Sequence, residues 1–287
     1  MSSFFTSSNS MVANTTARLP GDMEKLLLSL GLVIGLYLGF IFLEVMYQYI
    51  HRLSISRTVL LPNTYVMDSK SLTISQNPQV AQSKPVSLSD NERAGIEFSY
   101  SFYLNVDASA FTNYAGLLHI FHKGYPSQFP LLGPGVYMHS NENTLRIYMN
   151  TYHTWNHYID VPNLPVAKWV HVVLACTQSA MEVYVNGNLS KKLSFDGYAP
   201  YQNYQDIICF SPMKKEYRHS SIPSVDEQGF TLQGALKGML SRLTYFSYAL
   251  SYSEIQTLMN EGPSPNMDST IVNEVPPYLA DNWWASS

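Results

Sequence analysis

Charge is what this chain has least of. Lys, Arg, Asp and Glu make up 13% of its 287 residues, against about 25% in a typical soluble domain. With 17 basic and 21 acidic side chains the net charge is −4, so a global attraction to nucleic acid is excluded. The basic clusters, Lys191-Lys192 and Lys214-Lys215 with Arg218, are short and read as solvated turns. Cysteine is nearly absent. Cys176 and Cys209 each sit inside an apolar run, too few for a disulfide framework and without metal-ligand spacing. Buried, reduced thiols on strands are expected. A cytosol-facing domain fits them, but the count does not decide the compartment.

The patterns that carry chemistry are missing as well. There is no glycine-rich phosphate loop and no Ser-His-Asp set with positional support. Glycoside hydrolysis needs two carboxylates about 5–9.5 Å apart. Same-face strand neighbours lie roughly 7 Å apart, so an E-x-D-x-E pattern is the natural source, and none occurs. Glu97 and Glu182 are solitary, and Asp226-Glu227 is an adjacent pair whose side chains diverge. His119 and His122, three apart on an expected strand, should point to opposite faces. His153 and His157 have the spacing of a helical zinc pair, yet TYHTWNHY lacks the glutamate of that motif and suits a strand or loop. Asp160, Asp196 and Asp206 are too scattered for calcium. No catalytic residue, metal or cofactor is expected, and the chain does not read as an enzyme.

What is present begins with Leu26–Leu43, LLLSLGLVIGLYLGFIFL, an uncharged run between Lys25 and Glu44. At about 1.5 Å per residue it spans roughly 27 Å, near the hydrocarbon thickness of a bilayer. Tyr47 and Tyr49 follow at interfacial depth. A cleaved signal peptide has a shorter core followed by small residues. Here bulky EVMYQYI follows, so an uncleaved transmembrane anchor over 26–48 is expected. Arg18 and Lys25 precede it, and Arg52 and Arg57 follow it. This is a tie that leaves orientation open. The glycosylation sequons Asn14-Thr-Thr and Asn188-Leu-Ser lie on opposite sides of the span. Gly31, Gly35 and Gly39 recur at every fourth residue, a small-residue stripe of the kind that lets a second helix approach closely.

A polar tail, 1–25, precedes the anchor. Residues 49–90, with Pro62, Pro78 and Pro85 and two brief strand candidates, Thr58–Leu61 and Ser71–Ile74, read as a linker or stalk, or alternatively as the source of an edge strand. From Ile96 to Val106 every second residue is apolar or aromatic, the period of a half-buried strand. Further strands are expected at Leu117–His122, Gly135–Met138, Thr144–Met149, Trp169–Thr177, Met181–Val185, Leu189–Phe195, Ile207–Phe210 and Leu240–Phe246. Asn186-Gly187 is a type I′ hairpin signal. Trp169 is expected in the core. Ser251-Tyr252-Ser253-Glu254 is a capping box opening a helix that Gly262-Pro263 ends. These residues predict one antiparallel sandwich over 91–262 and a tail, 263–287.

KWVHVVLACTQSAMEVYVNGNLSKKLSF (Lys168–Phe195) and LKGMLSRLTYFSYALSYSEIQTLMNEG (Leu236–Gly262) resemble the laminin-G/concanavalin A-like jelly rolls. GIEFSYSFYLNV, HIFHKG and the tail PPYLADNWW narrow the likeness to the version of the domain found in nucleocytoplasmic large DNA viruses. The fold so implied is an all-β antiparallel jelly-roll sandwich with one N-terminal transmembrane helix. The role so implied is a virion membrane or minor capsid protein that links membrane and capsid shell. Its partners would be the lipid bilayer, capsid or other virion proteins, and other copies of itself. A surface low in charge and rich in tyrosine (21 residues) suits lasting protein contacts, and equally suits a polar uncharged globule. Trp283 and Trp284 are the docking candidates, unless they fold back on the sandwich. The alternative is a membrane-anchored, lectin-like module in which Trp155, Tyr152 or Tyr201 stacks on a glycan ring.

Overall fold

The computed structural model describes residues 21–87, 89, 96–125, 131–155, 157–217 and 230–268, and the chain divides into two units, Met1–Leu53 and Ser54–Ser287. The first is dominated by helix α1, Gly21–Ile55. Asp22 and Glu24 lie in its first turn, where negative charge complements the helix dipole. From Gly21 to Gln48 it is long and apolar enough to cross a bilayer, and the side chains over that stretch are exposed. A methyl group added at Gly31, Gly35 or Gly39 would meet nothing within 4 Å, so the glycine stripe is an open face of the helix.

The second unit forms strands β1 (Arg57–Val66), β2 (Leu72–Ile74), β3 (Phe98–Val106), β4 (Leu117–Lys123), β5 (Gly135–His139), β6 (Leu145–Met149), β7 (His157–Val161), β8 (Trp169–Cys176), β9 (Ala180–Val185), β10 (Asn188–Ser194), β11 (Ile207–Cys209), β12 (Lys214–Tyr217), β13 (Phe230–Ala235) and β14 (Gly238–Phe246), then helix α2 (Tyr252–Glu261). Two sheets face each other. One runs β1-β14-β3-β8-β9-β10, antiparallel throughout. The other runs β12-β13-β4-β5-β6-β7, with β11 paired to β4 and β2 beyond it. Phe98, Tyr100, Phe102, Leu104 and Val106 of β3 share one buried core with Ile120, Phe121, Val136, Met138, Ile147 and Met149 of the second sheet. On the outer face of the first sheet α2 lies against Val173, Phe246 and Tyr248 through Ile255. The Tyr103 hydroxyl donates to the Met259 carbonyl at 2.9 Å. The expected capping box is present: the Ser251 N–H donates to the Glu254 carboxylate at 2.8 Å, and the Ser251 side chain accepts from the Glu254 N–H.

Several expectations change. Residues from Arg57 onward are sheet rather than stalk: β1 pairs with β14 along its length, burying Leu60 and Leu61 in the core. The edge-strand alternative therefore describes that stretch, and the sandwich begins well before residue 91. Strands β7, β12 and β13 were not foreseen as strands. Trp169 is only partly buried, because Val170, Val172, Leu174 and Cys176 occupy the core face of β8 and alternation turns Trp169 outward. Trp169→Ala should therefore cost about 1–2 kcal/mol, less than burying a whole large side chain is worth. Phe102→Ala, fully buried, should cost about 3–5 kcal/mol. Chemical denaturation of both variants checks the ordering, and equal losses would contradict it.

Candidate functional site

His119 and His122 do not point apart. The β4–β5 register steps from His119↔Tyr137 to Phe121↔Val136. That step is a bulge at Ile120, so both Ile120 and Phe121 enter the core while both histidines lie on the other face. Their rings meet with Nε2 of His119 2.7 Å from Nδ1 of His122. The Ser211 N–H donates to Nδ1 of His119 at 2.9 Å. His119 therefore carries its proton on Nε2 and donates it to His122, whose own proton is on Nε2. Burial drives both imidazoles away from the charged form, His122 down to about 4. This is a directed, neutral pair that has no room for a metal between its nitrogens. Among the described residues, no three His, Cys, Asp or Glu side chains come together as a metal site.

The same outer face carries aromatic rings and one ion pair. Tyr137, Tyr148 and Phe230 pack together, with Trp155 and Tyr158 against them. Arg146 grips Asp160 through two bonds, 2.7 and 2.6 Å, and its guanidinium lies 4.1 Å from the centre of the Tyr158 ring. Burial alone would raise the Asp160 carboxyl, but the hydrogen bonds from Arg146, with the His139 ring nearby, hold it well below the usual carboxylate range. Asp160 is therefore committed as an anion and is no proton donor near neutral pH.

A group of exposed aromatics lies elsewhere, where β4 and β6 end. Three connections meet there, β4–β5, β6–β7 and β10–β11. Asn150, buried, stitches them: its backbone N–H donates to Leu132 and its carbonyl accepts from Tyr201. Its side chain accepts from the Leu132 N–H and donates to the Trp155 carbonyl. Asn203 reaches the Lys123 carbonyl at 2.9 Å. On this frame Tyr152 packs edge-on against Tyr201 with ring centres 5.3 Å apart, and His153 stacks on Tyr198 at 4.4 Å. Tyr125, Tyr152, Tyr198 and Tyr204 are exposed.

Beside Tyr204 opens a small cleft lined by Gln76, Ser87, Gln202, Asn203 and Lys123. The Lys123 ammonium is buried and donates to the Gln205 carbonyl at 2.7 Å. Burial pushes it down to about 8, against the opposing pull of Asp206. Flat aromatic faces beside amides and an ammonium can stack on and hydrogen-bond a polar ligand. The sequence-predicted Tyr152 and Tyr201 are thus brought together. Trp155 is one turn away, partly buried and packed toward Phe230 at 6.2 Å. Trp283 and Trp284 lie outside the described residues. Tyr198, Tyr204, Asn150 and Lys123 were missed, since no local pattern marks them.

Residues 80–256 match a family profile described as the concanavalin A-like lectin/glucanases superfamily. No curated protein matches the chain in sequence. Among solved structures it is similar to the receptor-binding domain of botulinum neurotoxin D, at 12% identity and a TM-score of 0.45 over 69% of this chain and 43% of that one. It is similar to the binding domain of botulinum neurotoxin DC in complex with SialylT, at 15% and 0.45 over 67% and 39%. A third likeness is to a sialidase of Trypanosoma rangeli, at 12% and 0.44 over 71% and 28%. The chain spans less than half the length of each.

Proposed function

The chain belongs to the concanavalin A-like lectin/glucanases superfamily, and from that premise we propose that it is a membrane-anchored, lectin-like binding module. Helix α1 is the anchor in this reading, and the tyrosine-rimmed end of the sandwich meets a carbohydrate. The observation that carries it is the gathering of Tyr152, Tyr201, Tyr198 and His153 around the connections that buried Asn150 holds together. Aromatic rings stack on the apolar faces of sugar rings, and neighbouring amides bind hydroxyl groups. A glycan array probed with the full chain in detergent tests it. Tyr152→Ala should weaken the best binder roughly 2–12-fold, the equivalent of about 0.5–1.5 kcal/mol for one stacking partner. No binder on the array, or an unchanged affinity in the variant, removes this reading.

A second reading is favoured by the resemblance of GIEFSYSFYLNV, HIFHKG and PPYLADNWW to viral forms of the domain, and by the low charge of the chain. In it the bilayer is the membrane of a large DNA virus particle. The sandwich bears on the capsid shell or on neighbouring copies, and repetition around the particle adds avidity to modest contacts. The protein is then present in purified particles and stays with the membrane fraction until detergent is added. Its absence from particles by mass spectrometry excludes this role.

A further inference from the structure

We propose that Asn188 is an N-glycosylation acceptor and that the sandwich unit accordingly lies on the luminal side of the membrane in which α1 sits. The proposal rests on the anchor reading of α1 and not on any ligand of the tyrosine end. Its support is a sequon, Asn188-Leu189-Ser190, that the candidate site does not absorb. A sequon alone is common, so its place in the fold carries the argument. Asn188 opens β10 directly after the turn at Asn186 and Gly187, whose φ angles of 47° and 75° are those of a tight hairpin. All three residues of the sequon are exposed. The β9–β10 register breaks between Leu189 and Lys191, so Ser190 stands out of the ladder. The Asn188 amide makes one exposed bond, 3.2 Å to the Asn186 carbonyl, which costs little to release.

β10 is also the edge of its sheet. An oligosaccharide there displaces no neighbouring strand, and it would shield an open edge that Lys191 and Lys192 already blunt with charge. The state of the thiols is compatible with the luminal side. Cys176 and Cys209 are both free and fully buried, and burial pushes both thiols up, away from the reactive thiolate. These are the only cysteines in the chain, so the unit offers an oxidising compartment no accessible thiol. Buried thiols fit the cytosol equally, so the assignment rests on the exposed place of Asn188 on an edge strand.

The co-reactant is a lipid-pyrophosphate-linked oligosaccharide. Nδ2 of Asn188 forms a bond to the anomeric carbon, the bond from that carbon to the pyrophosphate oxygen breaks, the amide gives up one proton, and the lipid pyrophosphate leaves. No redox step is involved. Since Asn14-Thr-Thr lies on the other side of the span, only one sequon can be modified in a chain of single orientation. The test is expression of the full chain in eukaryotic cells, with the carbonate-resistant membranes run on a gel before and after peptide-N-glycosidase. The expected result is one glycan's shift, lost in Asn188→Gln and in Ser190→Ala and kept in Asn14→Gln. An unshifted chain, or a shift that Asn14→Gln abolishes, overturns the proposal. A chain that washes out in carbonate overturns the anchor instead, and the same enzyme digest of the supernatant still reports on Asn188.

Discussion

Replacing Leu36 and Leu38 with lysine is expected to move the protein from carbonate-resistant membranes into the soluble fraction. Both leucines lie near the middle of the uncharged run and both are 58% exposed on α1, so neither packs on a protein surface that would mask the change. A lysine at the centre of a membrane helix costs about 2.5–3.5 kcal/mol on insertion scales, roughly 5–7 kcal/mol for two. That exceeds the small surplus that an 18-residue apolar run carries over its two charged ends. The sandwich unit is compact by itself, so the released variant should keep the wild-type near-ultraviolet circular dichroism. Intact mass separates the anchor from a cleaved signal sequence, which passes the same length and hydropathy test: an anchor leaves the chain at full length in the membrane. A wild-type chain that washes off in carbonate, or that is shortened past residue 43, refutes the anchor.

Much of this fold was legible because its signals are local. The alternation from Ile96 to Val106 placed β3 and its buried face, Asn186-Gly187 placed the hairpin turn, and Ser251 to Glu254 placed the start of α2. The misses share a different cause. The bulge at Ile120 inverts the alternation within β4 and no residue type announces it, so the histidine pair was invisible to a period-2 reading. Strand β12 is a run of Lys, Lys, Glu and Tyr that becomes a strand only by pairing with β13. Trp169 has the composition of a core residue, but the neighbouring valines fill the core face. At the candidate site, Tyr152 and Tyr201 stand 49 positions apart in sequence and are brought together by Asn150. Only the topology of three connections reveals what that asparagine holds.

Acid should destabilise the sandwich well above the pH at which carboxylates titrate. Three buried histidines are responsible. His119 and His122 form the directed pair, in which a further proton on either ring must displace a donor already pointing at it. His171 bonds Ser101 at 2.9 Å, while its backbone N–H donates to the Asn186 side chain and its ring lies 4.7 Å from that of Tyr103. Burial lowers all three, His122 and His171 to about 4 and His119 well below its ordinary 6.5. The sign follows from where protons bind first. As pH falls through about 6.5 the unfolded chain takes them up and the folded chain does not, so stability declines until the folded pKa near 4 is reached. A depression from 6.5 to about 4 corresponds to roughly 3 kcal/mol for each of His122 and His171. Two such losses are comparable with the whole stability of many domains, about 5–15 kcal/mol.

His157, which burial also lowers, adds to this window, whereas Asp160 and Lys123 act outside it. Asp160 loses its contribution only below the ordinary carboxylate range, and Lys123 weakens the fold below its unfolded pKa, an effect already complete at neutral pH. Urea unfolding of the full chain in detergent, followed by tryptophan fluorescence, should therefore show a midpoint that is steady from pH 8 to 7 and drops steeply between 6.5 and 4. His171→Asn should remove part of that slope while lowering the plateau, because the asparagine cannot titrate but fills the site less well. A midpoint that stays level down to pH 4.5 would mean that the three imidazoles are protonated in the folded chain, and the neutral hydrogen-bonded pair on β4 would have to be abandoned.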